Sequence, residues 1–217
     1  FNIMIGCNAG VALCGGYGHS ILMGCHAGKS ITTGAYNFLF GKRTGCSIDT
    51  GNANILIGNS LATSLTTGCK NVILGNSAGS SIGSSACCNF IVGNEAGYNL
   101  TGNSNIVMGG QAGCDLTGND NILLGEFAGT EMTSGSCNIA LGKCAMKSGI
   151  VTGALNISIG FKAGLTLSSG TQNVLIGCAA GQSLTSSSAL ANVFIGRGAG
   201  SSAETGCFSV AIGCGTL

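Results

Sequence analysis

Proline and tryptophan are absent from this 217-residue chain, and Asp, Glu, Lys and Arg together make up only 7% of it. Low charge often accompanies disorder, but 45% of the residues are hydrophobic and supply apolar surface to bury, so a disordered chain is excluded. A net charge of +1 offers no electrostatic basis for binding nucleic acid or an anionic membrane. No apolar run reaches the roughly 18 to 20 residues that cross a bilayer, so membrane insertion is not expected. A signal peptide is not expected either. Phe1 and Leu217 fall inside repeats, and the expectation is a segment of a longer chain. His19 and His26 are the only histidines, and neither stands near a carboxylate that would orient it for acid–base work. There is no C-x-x-C pair, which excludes a zinc ribbon or a dithiol redox motif of that type.

What the chain has in abundance is glycine, 40 residues of it, placed at a fixed period. Glycine without proline, repeated regularly, reads as recurring turns rather than a flexible linker. Asn71-Val72-Ile73-Leu74-Gly75 is written again as Asn54-Ile55-Leu56-Ile57-Gly58, Asn121-Ile122-Leu123-Leu124-Gly125 and Asn173-Val174-Leu175-Ile176-Gly177. Repeats start at Asn2, Ser20, Asn37, Asn54, Asn71, Asn89, Asn105, Asn121, Asn138, Asn156, Asn173, Asn192 and Ser209, with spacings of 16 to 19 residues. One repeat domain over 1–217 is expected, with length variation confined to loops.

Three apolar, largely β-branched residues between Asn and Gly are too short for a helix and read as a strand. Ala-Gly follows as a bend. A later apolar residue (Ile31, Leu65, Leu100, Leu116, Leu167, Leu184) with Thr or Ser beside it predicts a second short strand. The unit is therefore one coil of an all-β parallel β-solenoid of about 12 to 13 coils, stacked at about 4.8 Å. Stacked asparagine amides would hydrogen-bond along the corner.

Side chains alternate along a strand, so Val72 and Leu74 face one way and Ile73 the other. One face fills the coil, and the other forms an apolar stripe. The stripe is assigned to the middle positions Leu22, Leu39, Leu56, Ile73, Ile91, Val107, Leu123, Leu175 and Phe194, thinning at Ala140, Ser158 and Ala211. Such a stripe predicts association of identical chains around an axis, most simply a homotrimer; a second internal layer of a wider coil is the alternative.

Ser209-Val210-Ala211-Ile212-Gly213, Asn156-Ile157-Ser158-Ile159-Gly160 and Asn138-Ile139-Ala140-Leu141-Gly142 resemble the head repeats of YadA-like trimeric autotransporter adhesins. The Gly-Asn-x-Asn units with Ala-Gly and Leu-Thr-Gly also resemble repeats of phage tail fibres and of surface proteins of large DNA viruses. The resemblance implies a left-handed β-roll, a homotrimer and an extracellular place on a cell or virion surface fibre. A host-surface receptor or glycan would then be the external partner. It carries over no binding residues. The middle position is usually larger here than in the adhesins, and thirteen cysteines set the chain apart from adhesins exported through an outer-membrane pore.

Cys7 and Cys25 occupy one position of adjacent coils, as do Cys69 and Cys87, and these are the candidate disulfides. Cys7, Cys25, His26 and His19 form the only cluster that could ligate a metal, although no metal or cofactor is expected. Hexapeptide acyltransferases offer the sharpest enzyme comparison. Ile5–Gly10 fits one of their hexapeptides, but the position six residues on holds Lys29, Cys46, Thr63 and Ser80 in place of an aliphatic residue, so no catalytic set is expected. The threonines Thr32, Thr66, Thr101, Thr117, Thr133 and Thr185 keep an ice-binding face as a further alternative.

Overall fold

The computed structural model describes residues 1–14, 18–149, 151–185 and 189–217. The described residues contain β-strands and turns and no α-helix. The chain forms two compact units, Phe1–Asn105 and Ile106–Leu217. The first carries β1 (Ile3–Ile5), β2 (Ile21–Met23), β3 (Phe38–Phe40), β4 (Ile55–Asn59), β5 (Val72–Asn76) and β6 (Phe90–Val92). The second carries β7 (Ile106–Met108), β8 (Ile122–Leu124), β9 (Ile139–Leu141), β10 (Ile157–Ile159), β11 (Val174–Ile176), β12 (Val193–Ile195) and β13 (Val210–Ile212). Within each unit every strand pairs in parallel with the next in sequence. Leu56 meets Ile73 and Ile73 meets Ile91 in the first; Leu123, Ala140, Ser158, Leu175 and Phe194 follow one another in the second. Each unit is thus a parallel β-solenoid, as the repeat predicts.

The corner asparagine sets the register. Asn71 donates its backbone N–H and its side-chain Nδ2 to Asn54 Oδ1, at 3.1 and 3.0 Å. Its Nδ2 also donates to the carbonyl of Ala86 at 2.8 Å, and its own Oδ1 accepts from the backbone and side chain of Asn89. Asn138, Asn156, Asn173 and Asn192 repeat the arrangement in the second unit. Ser20 and Ser209 stand in the same column and keep only part of it. The asparagines Asn37 to Asn105 and Asn121 to Asn192 are buried, so each amide has to find its partners inside the protein, and the stack provides them.

The same geometry decides which side chains point inward. Asn71 faces inward, so the residue two positions on, Ile73, also faces inward, while Val72 and Leu74 face out. This inverts the sequence-based assignment of the stripe. Leu22, Leu39, Leu56, Ile73, Ile91, Val107, Leu123, Leu175 and Phe194 are fully buried and form the core rather than an interface. Ala140, Ser158 and Ala211 occupy the same inner column, so they thin the core and not an outer face. The interior is narrow and holds two further columns. One is alanine, as at Ala27, Ala78, Ala128 and Ala163; the other is aliphatic, as at Ile31, Ile82, Leu116 and Leu167. Burial of a side chain such as Ile73 contributes roughly 1.5–3 kcal/mol.

Among the described residues one strand forms per coil, where a second was expected. Around Ile31 and Leu65 the coils still exchange backbone bonds, such as Thr32 N–H to the Asp49 carbonyl at 3.1 Å, but turns on either side leave no room for a run of paired residues. The glycine that ends each strand is obligatory. Gly58 has φ +145°, and a Cβ placed there would overlap the carbonyl oxygen of Gly75 in the next coil.

Two other bends are left-handed without glycine. One falls two residues after the strand-ending glycine, as at His26, Arg43, Ser77 and Lys162. The other immediately precedes the corner asparagine, as at Tyr36, Lys70, Asp120 and Gln172. Their N–H groups continue the ladder around the corner, Ser77 to Asn59 at 3.0 Å and Lys70 to Asn52 at 3.0 Å, which offsets a conformational cost of roughly 1–2 kcal/mol per residue. Among the described residues Val, Ile and Thr do not occur with positive φ, because a branched Cβ crowds the carbonyl most severely there.

Replacing Asn71 with Ala should strand the N–H and Nδ2 groups of Asn89 and the Ala86 carbonyl, and lower unfolding free energy by about 2–4 kcal/mol in a urea titration. Ser158 is the opposite case: its hydroxyl is buried without a hydrogen-bond partner. Ser158→Ala should raise stability by about 1 kcal/mol in the same measurement.

Candidate functional site

Two features stand out once the inner columns are accounted for. The first is the outer side of the strands. In the first unit Ile21, Met23, Phe38, Phe40, Ile55, Ile57, Val72, Leu74, Phe90 and Val92 form two adjacent outward columns. Phe40 is 47% exposed, Ile55 42% and Phe90 37%. In the second unit the outward residues run from Ile106 and Met108 through Ile122, Leu124, Ile139, Leu141, Ile157 and Ile159 to Val210 and Ile212. Apolar residues flank the inward residue on every strand, so the outward face of each unit is an aliphatic and aromatic surface. No charged side chain interrupts these columns. The parity was present in the sequence, since the corner Asn and the middle residue lie on one side and the flanking pair on the other; burial of the corner Asn shows that the flanking pair is outside.

The second feature is the set of thiols. None of the thirteen cysteines is bridged in a disulfide in the structure. Of the two candidate disulfide pairs, Cys69 and Cys87 have Sγ atoms 3.1 Å apart, while the Cys25 thiol lies 3.7 Å from His26 Nδ1. Asn8 Nδ2 sits 3.1 Å from His26 Nε2, so the imidazole above Cys7 and Cys25 has an amide neighbour. His19 lies elsewhere, stacked on Tyr36 at 5.4 Å and edge-on to Phe1 at 6.3 Å, so the structure does not bring the two histidines together. Among the described residues no three His, Cys, Asp or Glu side chains converge as a metal site. The Cys69 thiol is pushed above its ordinary pKa, first by its hydrogen bond with Cys87, then by burial and by charge on Cys87 and Cys88, with Lys70 opposing.

The threonine column is occupied by its own ladder. Thr32 donates its hydroxyl to Asp49 Oδ1 and Thr66 to the Ser84 carbonyl at 3.2 Å. Asp49 and Ser84 interrupt the rank of threonines, which weakens the ice-binding alternative. Charge on the surface is sparse. Lys143 pairs with Glu126 at 2.6 Å, and that hydrogen bond raises the lysine pKa; both side chains are half exposed, so the pair adds little to stability. Lys147 and Lys162 lie over the rings of Phe127 and Phe161 at 4.5 and 5.2 Å. A shallow groove of about 350 Å3 is lined by Cys178, Gln182, Arg197, Ser201 and Cys214, where Arg197 Nη2 donates to Cys214 Sγ at 3.5 Å. Asn99-Leu100-Thr101 and Asn156-Ile157-Ser158 match the N-glycosylation sequon; Asn156 is buried in the corner ladder, and Asn99 is exposed.

The class that this architecture defines is the parallel β-solenoid repeat protein. Comparisons with protein-family models, with curated proteins and with solved structures returned no match for the chain. No helix among the described residues is long and apolar enough to cross a membrane.

Inward and outward positions should respond in opposite ways to the same charge. Ile73→Asp should lose most of the solenoid signal in far-ultraviolet circular dichroism, because an unpaired carboxylate would enter a core with no room for water. Leu74→Asp, one residue on and partly exposed, should stay folded within about 1 kcal/mol of the parent.

Proposed function

We propose that the chain is a structural rod segment of an extracellular fibre, on a cell or virion surface, that associates with copies of itself as a homotrimer. The observation that carries this reading is the outward apolar face. In the first unit alone ten neighbouring aliphatic, aromatic and methionine side chains lie on one flat surface, on the order of several hundred Å2, the scale at which exposed apolar surface marks an interaction site. A flat, uncharged and periodic face suits a second copy of itself better than a partner of different pitch, because identical coil spacing lets the side chains of two copies interleave along their length. A closed cyclic arrangement covers the face of every copy and leaves none open to further addition.

The remaining features fit mechanical work. Backbone ladders run along the solenoid axis, the amide column keeps the coils in register, and length can change by adding or removing a coil. The head-repeat resemblance of Asn138–Gly142, Asn156–Gly160 and Ser209–Gly213 points the same way, towards a trimeric surface fibre whose exposed loops meet a host receptor or glycan.

Sedimentation equilibrium should give three times the 21.2 kDa chain mass. Replacing Phe40, Ile57 and Phe90 together with lysine should shift the species to one chain mass while the circular dichroism spectrum is retained. A parent chain that sediments as a monomer at tens of micromolar would overturn the reading.

A further inference from the structure

Cys69 and Cys87 each stand two residues before a corner asparagine, Asn71 and Asn89, whose buried ladder fixes the two coils in register. Other residues of this column use their side chains to accept the N–H of the preceding coil: Asn52 accepts from Ala35 at 2.8 Å, and Asn103 from Cys87 at 2.8 Å. Cys87 fills the same role with sulfur, accepting the Cys69 N–H at 3.1 Å, while its thiol lies 3.2 Å from the Ser85 carbonyl. The column therefore aims Cys87 Sγ at Cys69, and the two sulfurs lie 3.1 Å apart. Both residues are half-buried, within reach of a small solute.

We propose that Cys69 and Cys87 are an oxidisable dithiol that closes into a disulfide joining adjacent coils, with a low-molecular-weight disulfide such as glutathione disulfide as the oxidant. The Cys87 thiolate attacks one sulfur of glutathione disulfide. That S–S bond breaks, one glutathione leaves as a thiolate and takes up a proton, and Cys87 is left as a mixed disulfide. Cys69 then loses its proton and attacks Cys87 Sγ, expelling the second glutathione. Two protein thiols become one disulfide, glutathione disulfide becomes two glutathiones, and both thiol protons end on them.

The order follows from the environment. The leading cause that keeps Cys69 protonated is its hydrogen bond with Cys87, and charge on Cys87 adds to it. Capping Cys87 removes both, so Cys69 ionises more readily once the mixed disulfide is in place, with Lys70 beside it to favour the thiolate. The bridge would close a loop between residues eighteen apart in sequence, restricting the unfolded chain while leaving the ladder unchanged.

The test uses the full chain, equilibrated in buffers of increasing glutathione disulfide. Oxidation should join Cys69 to Cys87 in the peptide map before other cysteines react, and should raise the thermal midpoint by about 5 °C, reversed by dithiothreitol. Cys69→Ser and Cys87→Ser should each abolish the rise, and Cys88→Ser should keep it. The proposal fails if the oxidised parent retains Cys69 and Cys87 as alkylatable thiols, stops at stable glutathione adducts, or links either of them to another cysteine. The mapping needs no variant, so a serine mutant that does not fold leaves the test intact.

Discussion

The buried asparagine ladder is the interaction on which the other features of each unit depend. Asn71 Oδ1 receives two N–H groups from the following coil, and its Nδ2 returns bonds to the preceding amide and to a carbonyl of its own turn, an arrangement most corner asparagines share. A shift of one residue in any coil would break several of these bonds at once and turn the adjacent strand over. The ladder therefore fixes pairing, sidedness and the position of every later bend. Where serine takes its place the column carries fewer bonds: the Ser20 hydroxyl accepts the Asn37 N–H, and Ser209 joins only by donating its backbone N–H to Asn192 Oδ1.

Sidedness in turn explains the chemistry of the surface. An interior wide enough for only the corner amides and three apolar columns cannot accept the flanking strand residues, however apolar they are. Ile55, Ile57 and Phe90 are therefore left on the outside by geometry and not by any deficiency of hydrophobicity. A chain with this composition and so small a core has more apolar side chains than inward positions. The self-association we propose would bury that excess. The glycine column completes the scheme, since the coils approach too closely at that bend for any side chain.

Stacking also makes neighbours of residues separated by a whole coil. A property shared by a column, such as an accepting side chain two residues before the corner, places Asn52 beside Ala35 and Cys87 beside Cys69 without any long-range search of the chain. Local chemistry then depends on which residue type falls in which column. The paired thiols, the His19–Tyr36 stack and the Asn8–His26 contact arise in this way.

By itself the sequence determined the coil length, the parallel stacking, the asparagine column, the strand-ending glycines and the adjacency of Cys69 and Cys87, because a period of 16 to 19 residues aligns identical positions without knowledge of the path between them. The left-handed bends at Ser77 and Lys70 could have been read there too, from the exclusion of Val, Ile and Thr at those columns. Alternation along three residues shows that Ile73 opposes Val72 and Leu74, but not which of the two sides is inside. Only the tertiary structure decided that. The corner amide must be buried to make its bonds, and a residue two positions from it has no choice but to follow it inward.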